Sequence, residues 1–291
     1  MLGPPKITIG VPVYNGAAGL AAALESILSQ SFRNFEMIIS DNGSTDATAT
    51  IAEEYVVKDK RIRYIRQPIN LGAMANFRFV LEQACTPYFM WAAADDIRSP
   101  DFLHENFSYL EAHPECVAST SPNTFGSFGH EKPVVFGLYG SAEERFQQFF
   151  KHCWLSHGIF YSLMRTNVIQ ACDLVGQSFI AVDWGIDLFL ASKGNVHRTE
   201  KSLALFGANG ISSRANAYAA FRNQPIERVL PFYRLTCYTL KLSAGFGFAA
   251  RLRLLVVLVK LNLKADLDQL HSALYRFYCE YFKTPSHKKP G

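Results

Sequence analysis

The sequence has no strong excess of charge of either sign, no long apolar run and no biased tract. Its 291 residues include 29 basic and 25 acidic side chains. Its pI of about 8.7 lies below the value of about 9 or more that is typical of nucleic-acid-binding domains. Because 49% of the residues are hydrophobic, disordered, collagen-like and coiled-coil proteins are excluded. We expect a folded protein that does not bind nucleic acid.

Closely spaced cysteines and a membrane-spanning segment are also lacking. The six cysteines lie 19 to 65 residues apart, so no Cys-x-x-Cys metal or redox motif occurs. The first residues do not resemble a signal peptide. The longest strongly apolar stretch, Leu254 to Val259, is far shorter than the roughly 18 residues of a transmembrane helix. These features predict reduced thiols and a cytoplasmic location.

Strand-like and helix-like segments alternate over the first 100 residues. Strand-like segments lie at 6–13, 35–40, 61–66 and 86–92, and segments with helical spacing lie at 20–28, 45–57 and 71–84. This alternation predicts parallel βαβ units and an α/β fold, in which ligands bind at the carboxyl ends of the strands.

The rest of the chain lacks this regular alternation. Helices are expected at 103–110, 141–152, 166–173 and 183–193, strands at 157–164 and 196–206, and short strands and loops over 121–140. From about Arg222 the pattern is helical, with a break at Gly245 to Gly247, and the last 70 residues contain 12 basic and 4 acidic residues. We predict a main domain over 1–221 and a basic helical extension over 222–291.

Acidic residues stand at three places where chemistry is plausible. Asp41 follows a predicted strand and fits either a turn with a helix cap or a hydrogen bond to a base or ribose. Asp95 and Asp96 follow another strand and fit either a solvated helix start or a site for Mg²⁺ or Mn²⁺. Asp183 and Asp187 begin a predicted helix, where acidic residues usually complement the helix dipole.

Other catalytic signatures are weak or missing from the sequence. His152, Cys153 and His157 have no third ligand at a metal-binding spacing, which favours structural histidines. Ser44 has no Gly-x-Ser-x-Gly setting, which disfavours a serine nucleophile. Neither a Walker loop nor a Gly-x-Gly-x-x-Gly motif occurs, which disfavours an ATPase or a dehydrogenase.

In their order along the chain, these segments resemble family 2 glycosyltransferases, which are inverting nucleotide-sugar enzymes with the GT-A fold. The similar segments are Ile9 to Gly16 (the family's Val-Pro-x-Tyr-Asn), Ser40 to Asp46 (its Asp-Asn-Gly-Ser-Thr-Asp turn), Asn70-x-Gly72, and Ala94-Asp95-Asp96 with Pro100 (its metal-binding segment). Ala93 stands where the family's Asp-x-Asp usually has its first acid. Asp183-Trp184 is similar to the acceptor-side acidic segment of bacterial polysaccharide enzymes.

The resemblance implies a Rossmann-like domain with a mostly parallel central sheet flanked by helices. Its nucleotide-sugar half would be about 1–100 and its acceptor half about 101–221. The residues that would hold the nucleotide sugar are Pro12, Val13, Tyr14, Asn15, Asp41, Asn70, Gly72, Asp95 and Asp96. By the same resemblance, Asp41 would face the base, Asp95 and Asp96 would bind Mn²⁺ or Mg²⁺, and Asp183 would be the general base.

The implied activity is metal-assisted, hexosyltransferase-type transfer in polysaccharide biosynthesis. The donor would be a UDP-sugar by default, and the acceptor a hydroxyl of a glycan or of a lipid-linked saccharide. A sugar nucleotidyltransferase is one alternative, although Pro12 to Gly16 is not the Gly-rich basic phosphate loop expected of it. A non-catalytic nucleotide-sugar-binding scaffold is another, and the acids that the chain retains argue against it.

The basic extension suggests a surface that binds anions. Arg253, Lys260 and Lys264 fall within about 40° of one another on a helical wheel, beside the apolar stretch Leu252 to Leu261. This pattern is typical of a helix at a membrane interface, which would place the protein on the inner face of the cytoplasmic membrane. Packing against the main domain or a homodimer seam is an equally good interpretation.

Overall fold

The computed structural model describes residues 3–125, 135–207 and 217–281. The chain divides into two compact units, Met1–Arg214 and Ala215–Gly291.

A seven-stranded sheet forms the centre of the first unit. Its strands are β1 (Ile7–Val13), β2 (Phe35–Asp41), β3 (Ile62–Arg66), β4 (Tyr88–Trp91), β6 (Cys116–Thr120), β8 (Leu163–Arg165) and β9 (Asn195–Arg198). They lie in the order β3-β2-β1-β4-β8-β6-β9. β1 is parallel to β2 and β4, β2 to β3, and β6 to β9, whereas β8 is antiparallel to both of its neighbours. The mostly parallel sheet confirms the predicted α/β class.

Helices connect and flank these strands. They are α1 (Ala17–Leu28), α2 (Thr48–Lys58), α3 (Ala73–Glu82), α4 (Phe102–Ala112), α5 (Ala142–His152), α6 (His157–Phe160), α7 (Thr166–Gln170) and α8 (Val182–Lys193). A second, three-stranded sheet has the order β5-β10-β7, formed by Ile97–Arg98, Ala204–Phe206 and Asn123–Phe125 respectively. Because β5 begins directly after Asp96, this small sheet fixes the position of the Asp96 backbone.

The core explains why β1 is an interior strand of the sheet. All seven of its residues are buried, and Ile7, Ile9 and Val11 join one hydrophobic cluster with Leu20 and Leu24 of α1. On the opposite face of the strand, a Cβ atom at Gly10 would lie 2.7 Å from the Val80 Cγ2 of α3. Glycine at this position therefore permits the close approach of α3 to the sheet.

The predicted elements of the first 100 residues are confirmed, and two later ones are wrong. The strand expected over 157–164 is a short helix, His157–Phe160, followed by the strand Leu163–Arg165. The strand expected over 196–206 is two strands, Asn195–Arg198 and Ala204–Phe206, which belong to different sheets. Of the loops and strands expected over 121–140, residues 126–134 lie outside the described part of the chain.

The described residues of the second unit, 217–281, form the helices predicted for the C-terminal part of the chain. This unit contains α9 (Ala217–Ala220), a 3₁₀ turn at Pro225–Arg228, α10 (Tyr233–Leu242) and α11 (Phe248–Tyr281). The break between α10 and α11 falls at the predicted glycines. Asn262 of α11 accepts a hydrogen bond from the Phe232 N–H (2.9 Å) and donates one to Thr236 Oγ1 (3.2 Å), which ties the helices of this unit together. Among residues 3–125, 135–207 and 217–281, no helix is both long and apolar enough to span a bilayer.

Candidate active site

Three loops meet at the carboxyl ends of β1, β2 and β3. The Asn42 Nδ2 donates hydrogen bonds to Asn70 Oδ1 (2.9 Å) and to the Gly72 carbonyl (3.1 Å), and Asn42 Oδ1 accepts one from the Leu71 N–H. Asn15 Oδ1 accepts from the Thr45 N–H at 2.8 Å. Because side-chain amides cross-link the loops, this edge of the sheet is fixed in place rather than left to loop fluctuation.

The residues predicted at the end of β1 differ in what they expose. Pro12 and Val13 are buried in the strand, so only their backbone could contact a ligand, whereas 48% of the Tyr14 side chain is exposed. Asn15 has a φ of 50°, a left-handed conformation that asparagine tolerates better than most residues. Asn15 and Asn70 both use side-chain oxygens within the loop network. Their visible role is to shape the loops around Tyr14.

Asp41 is held tightly at the last position of β2. The side chain is fully buried, its Oδ1 accepts from the Ser44 N–H (2.8 Å), and its Oδ2 accepts from the Tyr64 hydroxyl (2.9 Å). Arg66 Nε lies 3.7 Å from the same Oδ2. The turn predicted as one of its two roles is therefore present. A base could reach this carboxylate only if Tyr64 or Arg66 moved aside.

Asp95 and Asp96 follow β4 and have different surroundings. Asp95 is exposed, and a Cβ atom at Gly207 would lie 1.8 Å from its Oδ2, so the chain after β10 passes directly against it. Asp96 is 3% exposed, and its Oδ1 accepts from the Gly207 N–H at 3.3 Å. Its Oδ2 lies 3.6 Å from the Arg98 Nη2. Burial raises the pKa of Asp96 to about 6, although the charge of Arg98 opposes this.

The raised pKa of Asp96 leads to a prediction about stability. Because the folded protein binds this proton more tightly than the unfolded chain, whose Asp pKa is about 3.8, the free energy of unfolding should fall as the pH rises from about 4 to about 6. The shift is equivalent to about 3 kcal/mol. We expect Asp96→Asn to lose this part of the pH dependence in urea unfolding with chelator present. Identical pH dependence in Asp96→Asn and wild type would contradict the prediction, and the exposed Asp101→Asn serves as control.

Asp183 lies in the first turn of α8, beside a strained residue. Ala181, the residue before the helix, has a left-handed φ of 60°, which for alanine is unusual and typical of functional sites. The Asp183 side chain is half-buried. Burial raises its pKa, and the charge of His157 on α6 lowers it again in part. His157, predicted to be structural, is therefore an electrostatic neighbour of the predicted base.

The pKa of Tyr161 is affected by three of the predicted acids. Burial raises the pKa of its phenol, and the negative charges of Asp96, Asp183 and Asp95 raise it further. The carboxylates after β4 and the carboxylate of α8 thus act electrostatically on one aromatic residue, whose ring centroid lies 5.5 Å from that of Phe206. Asp41 stands apart from this group, because β1 lies between β2 and β4.

Four residues near these acids were not predicted from the sequence. They are Arg98, Tyr161, Arg198 and Gly207. Asp187, one turn after Asp183, was predicted only as a helix-start acid. It is 1% exposed. Burial and then the charge of Asp183 raise its pKa well above the usual value, with the neighbouring Ser156 hydroxyl and the charge of Arg198 opposing. The four-residue spacing between Asp183 and Asp187 was the only sequence feature that indicated that the two side chains lie on the same face of the helix.

The residues present fit a divalent cation that shares its ligands with a substrate. Asp95 is exposed, and Asp96 has an oxygen, Oδ2, without a hydrogen-bond partner among the described residues. Within the described ranges no group of three or more His, Cys, Asp or Glu side chains could hold a metal alone. Mg²⁺ and Mn²⁺ are commonly bound by one or two carboxylates together with phosphate oxygens of a substrate.

The sheet and its loops define an α/β protein of the nucleotide-binding class. The chain leaves β1 toward β2 on one side and reaches β4 on the other, and the crevice at such a reversal is where open α/β sheets bind ligands. The model of the family described as glycosyl transferase family 2 matches residues 8–179, more than half of the chain. The chain belongs to glycosyl transferase family 2.

Individual relatives match over part of their length. The glycosyltransferase EpsE of Bacillus subtilis is 35% identical over 127 residues, which are 43% of this chain and 46% of EpsE. The glycosyltransferase GlyA of Streptococcus pneumoniae is 27% identical over 175 residues, which are 60% of this chain and 24% of GlyA. The matched region is therefore less than half of either relative.

Solved structures show the same fold at low sequence identity. S. aureus TarS 1–349 in complex with UDP-GlcNAc has a TM-score of 0.58 at 16% identity and covers 83% of this chain and 73% of its own. The mannosyltransferase PcManGT of Pyrobaculum calidifontis, in complex with GDP-Man and Mn²⁺, has a TM-score of 0.51 at 15% identity. The match covers 97% of this chain and 89% of the PcManGT chain. The predicted GT-A fold is thereby confirmed.

Proposed function

We propose that the protein transfers a sugar from a nucleotide diphosphate sugar to a hydroxyl of a glycan or lipid-linked acceptor, with inversion at the anomeric carbon. The observation that carries the proposal is the carboxylate pair after β4, where Gly207 lies against Asp95 and donates its N–H to Asp96. The charge of Asp183 acts on Tyr161 together with the charges of this pair. Membership of the family and likeness in fold to proteins solved with UDP-GlcNAc and with GDP-Man support a nucleotide-sugar donor. UDP is the default nucleotide, and a hexose the default sugar.

In this proposal Asp183 is the general base. Burial raises its pKa, which makes its carboxylate a stronger proton acceptor, and its half-buried position leaves it open to an acceptor hydroxyl. As the hydroxyl oxygen forms a bond to C1, its proton passes to Asp183. The bond between C1 and the diphosphate oxygen breaks, and the diphosphate leaves with the electron pair. One displacement from the opposite face inverts the configuration.

Asp95 and Asp96 would hold Mn²⁺ or Mg²⁺, which supplies positive charge to the leaving diphosphate when bound. Their positions are set by the chain itself, since Gly207 lies against Asp95 and donates its N–H to Asp96. Arg98, fully buried beside Asp96, provides a fixed positive charge at the same place.

We assign the nucleotide to the cross-linked loops after β1, β2 and β3. Tyr14 is exposed there, and the loop that contains Asn70 and Gly72 is held to Asn42. Pro12 and Val13 would contribute backbone atoms, and Asn15 would fix the loop. Asp41 would reach the base after a rearrangement of Tyr64 or Arg66, whose present contacts occupy it.

A thermal-shift panel tests the proposal. The purified chain is heated with UDP-, GDP- and dTDP-sugars, with and without Mn²⁺. We expect one nucleotide class to raise the melting temperature, and the increase to require the metal. Absence of a shift with every nucleotide sugar would contradict the proposal and favour a scaffold. Formation of a nucleotide sugar from a nucleoside triphosphate and a sugar phosphate would instead identify a nucleotidyltransferase.

We further propose that the protein works in polysaccharide biosynthesis on the cytoplasmic side of the membrane. A nucleotide-sugar donor is made in the cytoplasm, and the C-terminal part of the chain is strongly basic, with 12 basic and 4 acidic residues after position 221. We propose that residues 1–221 carry the transferase activity and that residues 222–291 attach the protein to the membrane surface.

A further inference from the structure

Helix α11 has two apolar faces. One face is buried and includes Leu254, Leu258 and Leu261, at 0 to 8% exposure. The other lies about 180° around the helix axis and is exposed. Seven large side chains on this exposed face are between 46 and 65% accessible: Leu252, Val256, Val259, Leu263, Leu267, Leu270 and Leu274. We call this set the α11 stripe.

The spacing of the α11 stripe keeps it straight. Its members follow one another at intervals of 4, 3, 4, 4, 3 and 4 residues, so the pattern repeats after 11 residues. Eleven residues complete about three helical turns, so the side chains form a nearly straight line along about 33 Å of helix. Monomeric proteins rarely expose a continuous apolar surface of this length without a binding partner.

Charge identifies the kind of partner. Arg253, Lys260 and Lys264 border the α11 stripe on one side, and all three are exposed. Between 248 and 264 the helix carries four basic residues and no acidic residue, and the remaining part of the stripe adds Asp266 and Asp268. The cationic character therefore belongs to the N-terminal two thirds of the helix segment that bears the stripe. An apolar line next to a cationic border matches the boundary between acyl chains and anionic headgroups.

We propose that the α11 stripe is a docking surface for an anionic lipid bilayer, with α11 lying in the plane of the interface. A second copy of the chain fits the charges less well. An antiparallel two-fold pairing through the stripe would bring the two cationic borders side by side, and between 248 and 274 this border carries no acidic residue. The inference agrees with the proposed lipid-linked acceptor but depends only on the geometry and charge of α11.

Vesicle flotation of the full chain tests the proposal. We expect the protein to float with phosphatidylcholine vesicles that contain phosphatidylglycerol, and to remain unbound with phosphatidylcholine alone. Leu263→Asn combined with Leu267→Asn should lower the bound fraction about tenfold or more, because exposed leucines of the stripe no longer insert. Lys260→Gln should lower it about fivefold, and moderate salt should have a similar effect.

Matched variants separate these effects from general surface changes. Val57→Asn removes an apolar side chain that is 78% exposed on α2, and Lys60→Gln removes an exposed charge near it, so neither should alter flotation. Unchanged melting temperatures show that the stripe variants fold.

Equal flotation with both kinds of vesicle would overturn the anionic assignment. Absence of flotation would overturn the whole proposal. If light scattering then showed a dimer that Leu263→Asn combined with Leu267→Asn dissociates, the stripe would be a dimer interface. If it showed a monomer, the stripe would bind neither a bilayer nor a second copy. Flotation requires neither donor nor acceptor, so a negative result leaves the transferase proposal intact, and a failed thermal-shift panel leaves this one intact.

Discussion

We expect Asp183→Asn to lower the rate of sugar transfer by about 10²–10⁴-fold while leaving the affinity for the donor unchanged. Asparagine has nearly the same shape as aspartate, but it cannot accept the proton of the acceptor hydroxyl. The donor would be held by Asp95 and Asp96 and by the loops after β1 to β3, which the substitution does not alter.

Two measurements check this expectation. Release of the nucleoside diphosphate, with whichever acceptor supports turnover, gives the transfer rate, and isothermal titration gives the dissociation constant of the donor. Because burial raises the pKa of Asp183 above 3.8, the wild-type rate should fall on the acidic side of its pH profile. The residual rate of the variant should lack that acidic limb.

Asp101→Asn is the matched control, since it removes an exposed carboxylate at the start of α4. It should leave both the rate and the affinity as in the wild type. A near wild-type rate in Asp183→Asn would remove Asp183 from the role of base. A loss of donor affinity equal to the loss of rate would show that Asp183 binds the donor instead.

The sequence predicted the first half of the fold because its local signals agree with one another. The strands at 7–13, 35–41 and 88–91 are short and largely apolar, the strand at 62–66 alternates isoleucine and tyrosine with arginine, and segments of helical spacing separate them. The second half was less predictable. Residues 158–160 are Gly-Ile-Phe, and so short an apolar run does not distinguish a buried strand from a turn of buried helix. Tertiary packing against β4 decides the matter, with Phe160 stacked on Trp91 at 4.9 Å.

The candidate site shows the same division between local and distant signals. Asp95, Asp96 and Asp183 were identifiable because each follows a strand or begins a helix, and the charges of all three act on Tyr161. Gly207 and Arg98 could not be identified from the sequence. Their position near Asp96 depends on the pairing of β10 with β5, and β10 lies more than a hundred residues after Asp96 in the chain. The local periodicity of a sequence does not predict such long-range strand pairings.

The second large effect is expected for Asp95→Ala, which should abolish the stabilisation that Mn²⁺ and the donor give together. Asp95 is the exposed carboxylate of the pair, whereas Asp96 already interacts with the Gly207 N–H and with Arg98. A bound metal contributes several kcal/mol to such reactions, so the transfer rate should fall by about 10³-fold or more. Thermal shift with the donor and Mn²⁺, compared with donor and chelator, measures the metal-dependent part.

Gly207→Ala tests the position of the same carboxylate without removing it. The new Cβ atom would lie 1.8 Å from the Asp95 Oδ2, so that carboxylate has to turn away. We expect a weaker metal-dependent shift in this variant, whereas Gly245→Ala, with no atom within 4 Å of its Cβ position, should behave as wild type. If both Asp95→Ala and Gly207→Ala kept the full metal-dependent shift, Asp95 would not be a metal ligand. The guanidinium of Arg98, which is held beside Asp96 without any metal, would then be a candidate source of positive charge at the diphosphate.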